Sequence, residues 1–455
     1  MIVERRTEVS APAEDVFEWH ARPGAFERLV PPWESVRLRA PHPGLVEGSR
    51  AMLAVGLGPL TTNWVARHER VEPGRGFVDV QETGPCARWR HEHRFEPLGP
   101  ERSALTDRIE CELPGGPLGE LAAPFVRKKL RHTLRYRHAV TAADLALHRQ
   151  FRGRPRLTVA ITGSTGLVGR ALAALLTTGG HRVVRVVRRS AGAEEISWNP
   201  ATGHLDPAVL RGIDAVVHLA GESIAGGRWT EGRKERIRSS RVAGTTTLAR
   251  AIAAASPRPR VLISASAIGW YGNRGDGWLD ESALGGSGFL ADVGQAWEAS
   301  TQPASEAGVR VAHARFGIIL SPAGGALDTM LLPFSAGVGA QLGSGRQWTS
   351  WISLDDCIGA LVHLLCTEIA GPVNVVAPAP VTNAEYTKTL GRVLHRPTWF
   401  GIPAPVVRVL FGELADEGLL ASARVTPARL LATGYQFRHA TLTDALEHLL
   451  GRGSA

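Results

Sequence analysis

The chain reads as α/β, a doubly wound parallel sheet with a small helical domain after it and an α+β domain before it. Three observations predict this. A short apolar run, "RLTVAITG", enters a glycine-rich turn and an Ala/Leu-rich helix, "STGLVGRALAALL". Strand-like and helix-like segments then alternate as far as "VRVAHARFGIIL", the pattern of a parallel sheet with helices on both faces. Ahead of "HRQFRGRPR", residues 148–156, the pattern differs: alternating strand-like runs such as "TTNWVARHERV" and "ARWRHEHRFEPL" sit between Gly and Pro turns and precede a long basic helix. The expected domains are therefore residues 1–150, 156–402 and 403–455. A chain of 455 residues exceeds what one ordinary hydrophobic core supports.

Composition narrows the class. Apolar residues make up 44% and charged residues 21%, which is the balance of a soluble globular protein. No run of about eighteen uncharged apolar residues occurs, so no membrane span is expected. The opening "MIVERRTEVSAPAEDVF" carries charge where a signal peptide needs an apolar core, and a cytoplasmic protein is the expectation. Cys86, Cys111, Cys357 and Cys366 lack metal-ligand or C-x-x-C spacing and read as buried reduced thiols. The net charge of +9 is dispersed among acids, so no nucleic-acid partner is expected.

In the N-terminal part, "VSAPAEDVFEWHARPGAFERLVPP" predicts a helix with Ser10 as N-cap, Pro12 inside the first turn, and Val16, Phe17 and Trp19 buried. The stretch "VRKKLRHTLRYR", residues 126–137, predicts an amphipathic helix whose apolar side is Leu121, Phe125, Leu130 and Leu134. Its basic side is a solvated face or, in the second reading, a contact for an anionic surface. His91 and His93 alternate on one face of a strand. With no third ligand recognisable, they read as surface histidines, and no metal site is expected. The early helix, strand ladder and closing helix resemble the helix-grip family that includes START and plant-pollen-allergen-like (SRPBCC) domains. The resemblance covers residues 1 to 148. It implies a curved sheet around a long helix, with a gap that is either filled or open to an apolar ligand.

The glycine turn carries the clearest chemistry. Gly163, Gly166 and Gly169 form G-x-x-G-x-x-G between a strand and a helix, and a second strand, "HRVVRVVRR", follows. Gly163 permits the tight turn, Gly166 lets backbone approach a pyrophosphate, and Gly169 allows close packing of the helix. Ser164, Thr165, Leu167 and Val168 complete the loop and helix start, whose N–H groups suit an anion. At the end of the second strand an NAD site wants a carboxylate for the ribose hydroxyls. This chain has Arg188 and Arg189, which suit a 2′-phosphate, so NADP is the expected cofactor. Leu219, Ala220, Gly221 and Glu222 end a third strand, and Ser264 and Ala265 lie on a fourth; all are candidate cofactor contacts.

The stretches "ITGSTGLVGRAL", "LAGESIAGGRWTEGRKERIRSSRV", "SASAIGWYG" and "LLPFSAGVGAQLGSGRQWTSWISLDD" resemble the extended short-chain dehydrogenase/reductase superfamily. They match its atypical branch associated with nucleoside-diphosphate-sugar epimerases. The tail "LFGELADEGLLASARVTPARLLATGYQFRHATLTDAL" resembles that branch's small C-terminal domain. Standard members use a tyrosine, a lysine four residues later and an upstream Ser or Thr. Here the resemblance puts Leu290, Gly294 and Ala267 in those slots, so the standard acid/base is absent. Ser266, Tyr271 and Glu222 are the catalytic candidates that remain, Tyr271 or Glu222 as proton donor or acceptor and Ser266 as holder of a carbonyl oxygen, or, in the other reading, all only as hydrogen-bond partners of the cofactor's ribose. In the "GSGRQW" loop, Arg346 is expected to meet an anionic substrate group and Trp348 to stack or pack. Trp351 is expected to pack, and Asp355 and Asp356 to cap the next helix. Dimerisation through helices flanking the sheet is common in the family and implies a homodimer. Two readings follow: an NADP-dependent oxidoreductase or epimerase acting on a small molecule, or a non-catalytic NADP-binding sensor coupled to the N-terminal domain.

Overall fold

The computed structural model describes residues 1–40, 44–56 and 61–453. They divide into two units. One is built on Met1–Pro155 with Ala174–Gly180 and the chain from His448; the other comprises Arg156–Ala173 and His181–Glu447.

In the first unit, strands β1 (Ile2–Val9), β2 (Val36–Leu38), β3 (Arg50–Val55), β4 (Thr62–Glu72), β5 (Gly76–Thr83), β6 (Arg88–Gly99) and β7 (Arg102–Glu112) form one antiparallel sheet. Its order is β1-β7-β6-β5-β4-β3-β2. One face is buried, and the sequence shows it: in β6 the buried residues are Trp89, His91, His93 and Phe95, the period of two that a half-buried strand requires. Helices α1 (Ala13–Ala21), α2 (Ala25–Leu29) and α3 (Pro117–His148) complete the unit. Leu134 of α3 packs with Val3, Trp89 and Ile109. Leu145 of α3 joins Val16 and Trp19 of α1 and Phe77, Phe95 and Leu105 of the sheet.

Several expectations are corrected here. The first helix begins after Pro12, which occupies the cap position without a side-chain cap; Ser10 lies outside it because the proline's fixed φ starts the first turn. Leu121 and Phe125 are 79% and 74% exposed, so the apolar side of α3 packs only from Leu130 and Leu134 onward. His91 and His93 are not surface residues. They are 3% and 5% exposed, because the face they share is the inner one. Cys86 and Cys111 come together as free thiols with sulfurs 3.4 Å apart, and burial pushes the Cys86 thiol up to about 12.

The second unit holds β8 (Thr158–Thr162), β9 (Arg182–Val187), β10 (Glu195–Ser197), β11 (Ala215–His218), β12 (Val261–Ala267), β13 (Arg310–Phe316) and β14 (Gly371–Val375). All neighbours pair in parallel, in the order β10-β9-β8-β11-β12-β13-β14. The strands are near-continuous apolar runs because helices cover both faces. α4 (Leu167–Thr178, of which residues 167–173 fall in this unit), α5 (Glu231–Ala254), α6 (Phe289–Ala299) and α7 (Leu354–Cys366) are the main ones. The strand order reverses between β8 and β11, which opens a crevice at their carboxyl ends. Among the described residues no helix is long and apolar enough to cross a membrane.

Arg28 and Asp144 form a two-pronged ion pair at 2.8 Å inside the first unit, with side chains 6% and 0% exposed. Removing one partner strands a buried charge, so Asp144→Ala should lower the stability of this unit by about 3–5 kcal/mol. Chemical denaturation followed by far-UV dichroism measures it, and an unchanged midpoint would contradict the pairing.

Candidate nicotinamide-nucleotide site

The crevice is shaped by what the glycines leave out. Gly163 turns the chain out of β8 at φ +65°, and a Cβ there would lie 2.9 Å from the Leu219 carbonyl group at the end of β11. Only glycine meets both conditions. A Cβ on Gly169 would lie 2.3 Å from the Gly163 oxygen and 2.8 Å from Ser164 Cα, so the helix sits directly on the loop. A Cβ on Gly166 would meet only the Gly163 oxygen, at 3.2 Å. Gly166 N–H donates to that oxygen at 2.9 Å. The first-turn N–H groups of α4 have no acceptor within the helix, and the macrodipole makes that end attractive to an anion. These features fit a dinucleotide's pyrophosphate.

Beneath the loop runs a buried relay that the sequence reading missed. Thr162 Oγ1 accepts from Leu219 N–H (3.0 Å) and Ala220 N–H (3.1 Å) and lies 2.7 Å from His218 Nδ1. With both lone pairs used, the hydroxyl donates to Nδ1, which leaves Nε2–H to donate to Thr245 Oγ1 at 3.0 Å. Thr245 Oγ1 also accepts from Trp297 Nε1–H. Burial lowers the His218 pKa to about 4, so the ring stays neutral and the tautomer is fixed. β8, β11, α5 and α6 are thereby tied together under the strand ends. The signal in the sequence was the lone histidine ending the apolar run "AVVH".

The catalytic candidates do not converge on the crevice. Ser266 is 1% exposed and donates to Glu298 Oε1 at 2.7 Å. Glu298 in turn holds the Arg315 guanidinium through bonds of 2.7 and 2.8 Å. Arg315 donates to the Tyr271 hydroxyl at 3.0 Å and lies 3.6 Å over the Trp270 ring. Tyr271 is fully buried, with its hydroxyl 2.7 Å from Asn374 Oδ1 and 3.0 Å from the Asp280 carbonyl. Burial raises its pKa, more than the Arg315 charge lowers it. Both hydroxyls that the sequence offers for catalysis are thus hydrogen-bonded inside the fold. At Gly294, which the resemblance puts in the lysine slot, a Cβ would lie 3.3 Å from Trp270 Cα. Leu290, in the tyrosine slot, packs where a Cβ on Gly269 would lie 3.2 Å from it.

Glu222 is exposed. Its backbone is fixed by Ser240 Oγ on the N–H and Arg241 on the carbonyl, and Arg241 also fills the space beside Gly221. Ser264 and Ala265 are buried, which leaves them no exposed side chain. The two arginines after β9 differ. Arg189 is held by Glu195 through two bonds of 2.7 and 2.8 Å, whereas Arg188 is exposed with no ion pair among the described residues. Arg346 is exposed. Trp348 and Trp278 sandwich the Arg424 guanidinium, each at 3.9 Å, and Trp348 Nε1–H donates to Asp276, so its ring is already engaged. Trp351 is fully buried and donates to the Ala379 carbonyl. The cap of α7 is Ser353, not an aspartate; Asp356 instead accepts from the backbone N–H groups of Arg438 and His439 and anchors the C-terminal segment.

This arrangement defines a dinucleotide-binding protein of the short-chain dehydrogenase type that lacks that type's usual acid/base pair. Comparison makes the assignment. The model of the NAD dependent epimerase/dehydratase family matches residues 159–376. A polyketide cyclase / dehydrase and lipid transport model matches residues 9–138, in keeping with the helix-grip sheet, and a domain of unknown function, DUF1731, matches 402–449. An epimerase family protein of Mycobacterium tuberculosis is 48% identical over 296 residues, which are 65% of this chain and 98% of that one. Human epimerase family protein SDR39U1 is 36% identical over 298 residues, 65% of this chain and all of the human one. A crystal structure of a Corynebacterium glutamicum nucleoside-diphosphate sugar epimerase superposes with TM-score 0.82 at 35% identity, covering 99% of this chain and 90% of that one. A structure of human SDR39U1 with NADPH gives TM-score 0.60 at 35% identity over 64% and 99% of the two chains. The chain belongs to the NAD dependent epimerase/dehydratase family, whose members bind a nicotinamide cofactor.

Tyr271→Phe should act on stability and not on nucleotide binding. It leaves Arg315 and Asn374 short of a partner, a cost of about 1–3 kcal/mol, readable as a lower melting temperature at unchanged NADPH affinity. Loss of NADPH binding in a folded variant would place the hydroxyl in the crevice after all.

Proposed function

We propose that the second unit binds NADP(H) and carries out a redox or epimerisation step on a small molecule, with Glu222 handling the proton in place of the missing tyrosine and lysine. The observation that carries the cofactor preference is Arg188, exposed directly after β9 while its neighbour Arg189 is committed to Glu195. A guanidinium there suits a 2′-phosphate, where an NAD site would have a carboxylate. The NADPH in the human relative's structure supports the same choice. The glycine loop, with Gly163, Ser164, Thr165, Gly166, Leu167, Val168 and Gly169, holds the pyrophosphate. Leu219, Ala220 and Gly221 line the adjoining strand end, and Ser264 and Ala265 contribute backbone. When bound, the nicotinamide accepts or donates a hydride. Glu222 is the candidate carboxylate that stays exposed beside that strand end, and Arg346 is the exposed cation of the loop proposed to meet an anionic group of the substrate. Trp348 belongs to the wall of that loop. In the first unit, the family match supports an apolar ligand between sheet and helix. A cytoplasmic homodimer completes the reading.

The second reading is a non-catalytic NADP-binding sensor. The burial of the Ser266 and Tyr271 hydroxyls favours it, because it removes two of three proton-handling candidates.

Two measurements test these readings. Arg188→Ala should weaken NADPH binding about 10- to 100-fold, the worth of a charge-assisted contact, and leave NADH binding unchanged; equal loss for both cofactors overturns the 2′-phosphate assignment. Wild-type turnover of NADPH across carbonyl and sugar-nucleotide panels should vanish in Glu222→Gln with cofactor affinity intact. Undiminished turnover removes Glu222, and no wild-type turnover in either panel moves the choice to the sensor.

A further inference from the structure

The inner face of the N-terminal sheet carries a cluster of imidazoles and carboxylates that the nucleotide site does not use. Strand register puts it there. His68 of β4 pairs with Asp79 of β5, Asp79 pairs with His91 of β6, Phe77 pairs with His93, and His93 pairs with Asp107 of β7. Residues directly opposite in an antiparallel pair share a face, and the period of two brings His91 and His93 together. Four neighbouring strands therefore deliver His68, Asp79, His91, His93 and Asp107 to one patch, and α3 adds His138 from above.

We propose that Asp79, His91 and His93 bind a divalent transition-metal ion, Zn2+ by the chemistry of the donor set, with a coordination position left open for water. One ligand atom from each of the three lies within 4.8 Å of the others. Around Zn2+ such atoms stand roughly 3.3 Å apart, so side-chain shifts of about an ångström close the site. Two imidazoles and one carboxylate with an open fourth position is a familiar zinc set.

The surroundings have the form that outer partners of a metal take. His68 Nδ1 lies 2.6 Å from Asp79 Oδ1, which leaves Oδ2 turned to His93 Nε2 at 3.4 Å. Asp107 backs the histidines: its Oδ1 is 2.7 Å from His93 Nδ1 and 3.6 Å from His91 Nε2, and its Oδ2 is 3.1 Å from His138 Nε2. A carboxylate on the far nitrogen of a ligating histidine sets its tautomer and orientation. Phe77 stacks on His93 at 4.1 Å and limits its rotation.

The Asp79 side chain remains 21% exposed, and that gives the ion a way in.

The test uses the full chain, stripped with a chelator and titrated with Zn2+ or Co2+. Wild type should retain one equivalent after dialysis, measured by plasma mass spectrometry, and the Co2+ form should show the intense visible bands of low coordination number. Asp79→Asn and His91→Ala should each weaken binding at least about 100-fold. Asp107→Asn, a positioning residue, should cost about 10- to 100-fold. X-ray absorption of the Zn2+-loaded wild type needs no variant: two imidazoles and oxygen donors support the site. Absence of stoichiometric binding, sulfur donors at the metal, or binding that folded Asp79→Asn and His91→Ala chains retain in full would overturn it.

Discussion

The architecture of the nucleotide-binding unit depends on one close approach. Where β8 ends, the backbone passes so near the end of β11 that a single methyl group at Gly163 would collide with the Leu219 carbonyl. Glycine accepts both the crowding and the positive φ. The Thr162 hydroxyl, one residue earlier, gathers the N–H groups of Leu219 and Ala220. The crevice, the loop curvature and the seating of α4 on Gly169 all follow from that junction. His218 extends the same constraint into α5 and α6 through Thr245 and Trp297.

A second network holds the polar side chains buried below the end of β12. Arg315, Glu298, Ser266, Tyr271 and Asn374 satisfy one another below the end of β12, and Trp270 covers Arg315 while touching Gly294. Low dielectric makes such bonds strong when complete and costly when broken. The network therefore holds the serine and tyrosine hydroxyls as structural groups. A Cβ at position 294 would lie 3.3 Å from Trp270 Cα and Cβ, so Trp270 would have to shift slightly to admit one.

The first unit follows the opposite principle. Its sheet buries one face, and that face is not uniformly apolar: Phe77, Phe95 and Leu105 share it with His68, His91, His93 and Asp107. Polar residues survive there because register brings each imidazole to a carboxylate. The Arg28–Asp144 pair shows the same tolerance on the helical side.

The sequence by itself determined the class of each unit and the nucleotide loop, because both rest on local rules. Periods of two and near-continuous apolar runs specify strand type, and Gly166 and Gly169 answer to backbone only a few residues away, although Gly163 also answers to Leu219 at the end of β11. It also exposed the missing tyrosine and lysine, since absence at a fixed spacing is readable without coordinates. Only tertiary structure decided which polar side chains face the crevice. Ser266 and Tyr271 looked available on a strand end until Glu298 and Asn374, distant in the chain, closed over them. His91 and His93 were seen to share a face, yet whether that face was inside or outside, and that Asp79 and Asp107 meet them there, depends on strand pairing. Arg188 and Arg189 were equivalent in sequence and became distinct when Glu195 folded back onto one of them. Each of these outcomes is a contact between segments separated along the chain, which periodicity and composition do not encode.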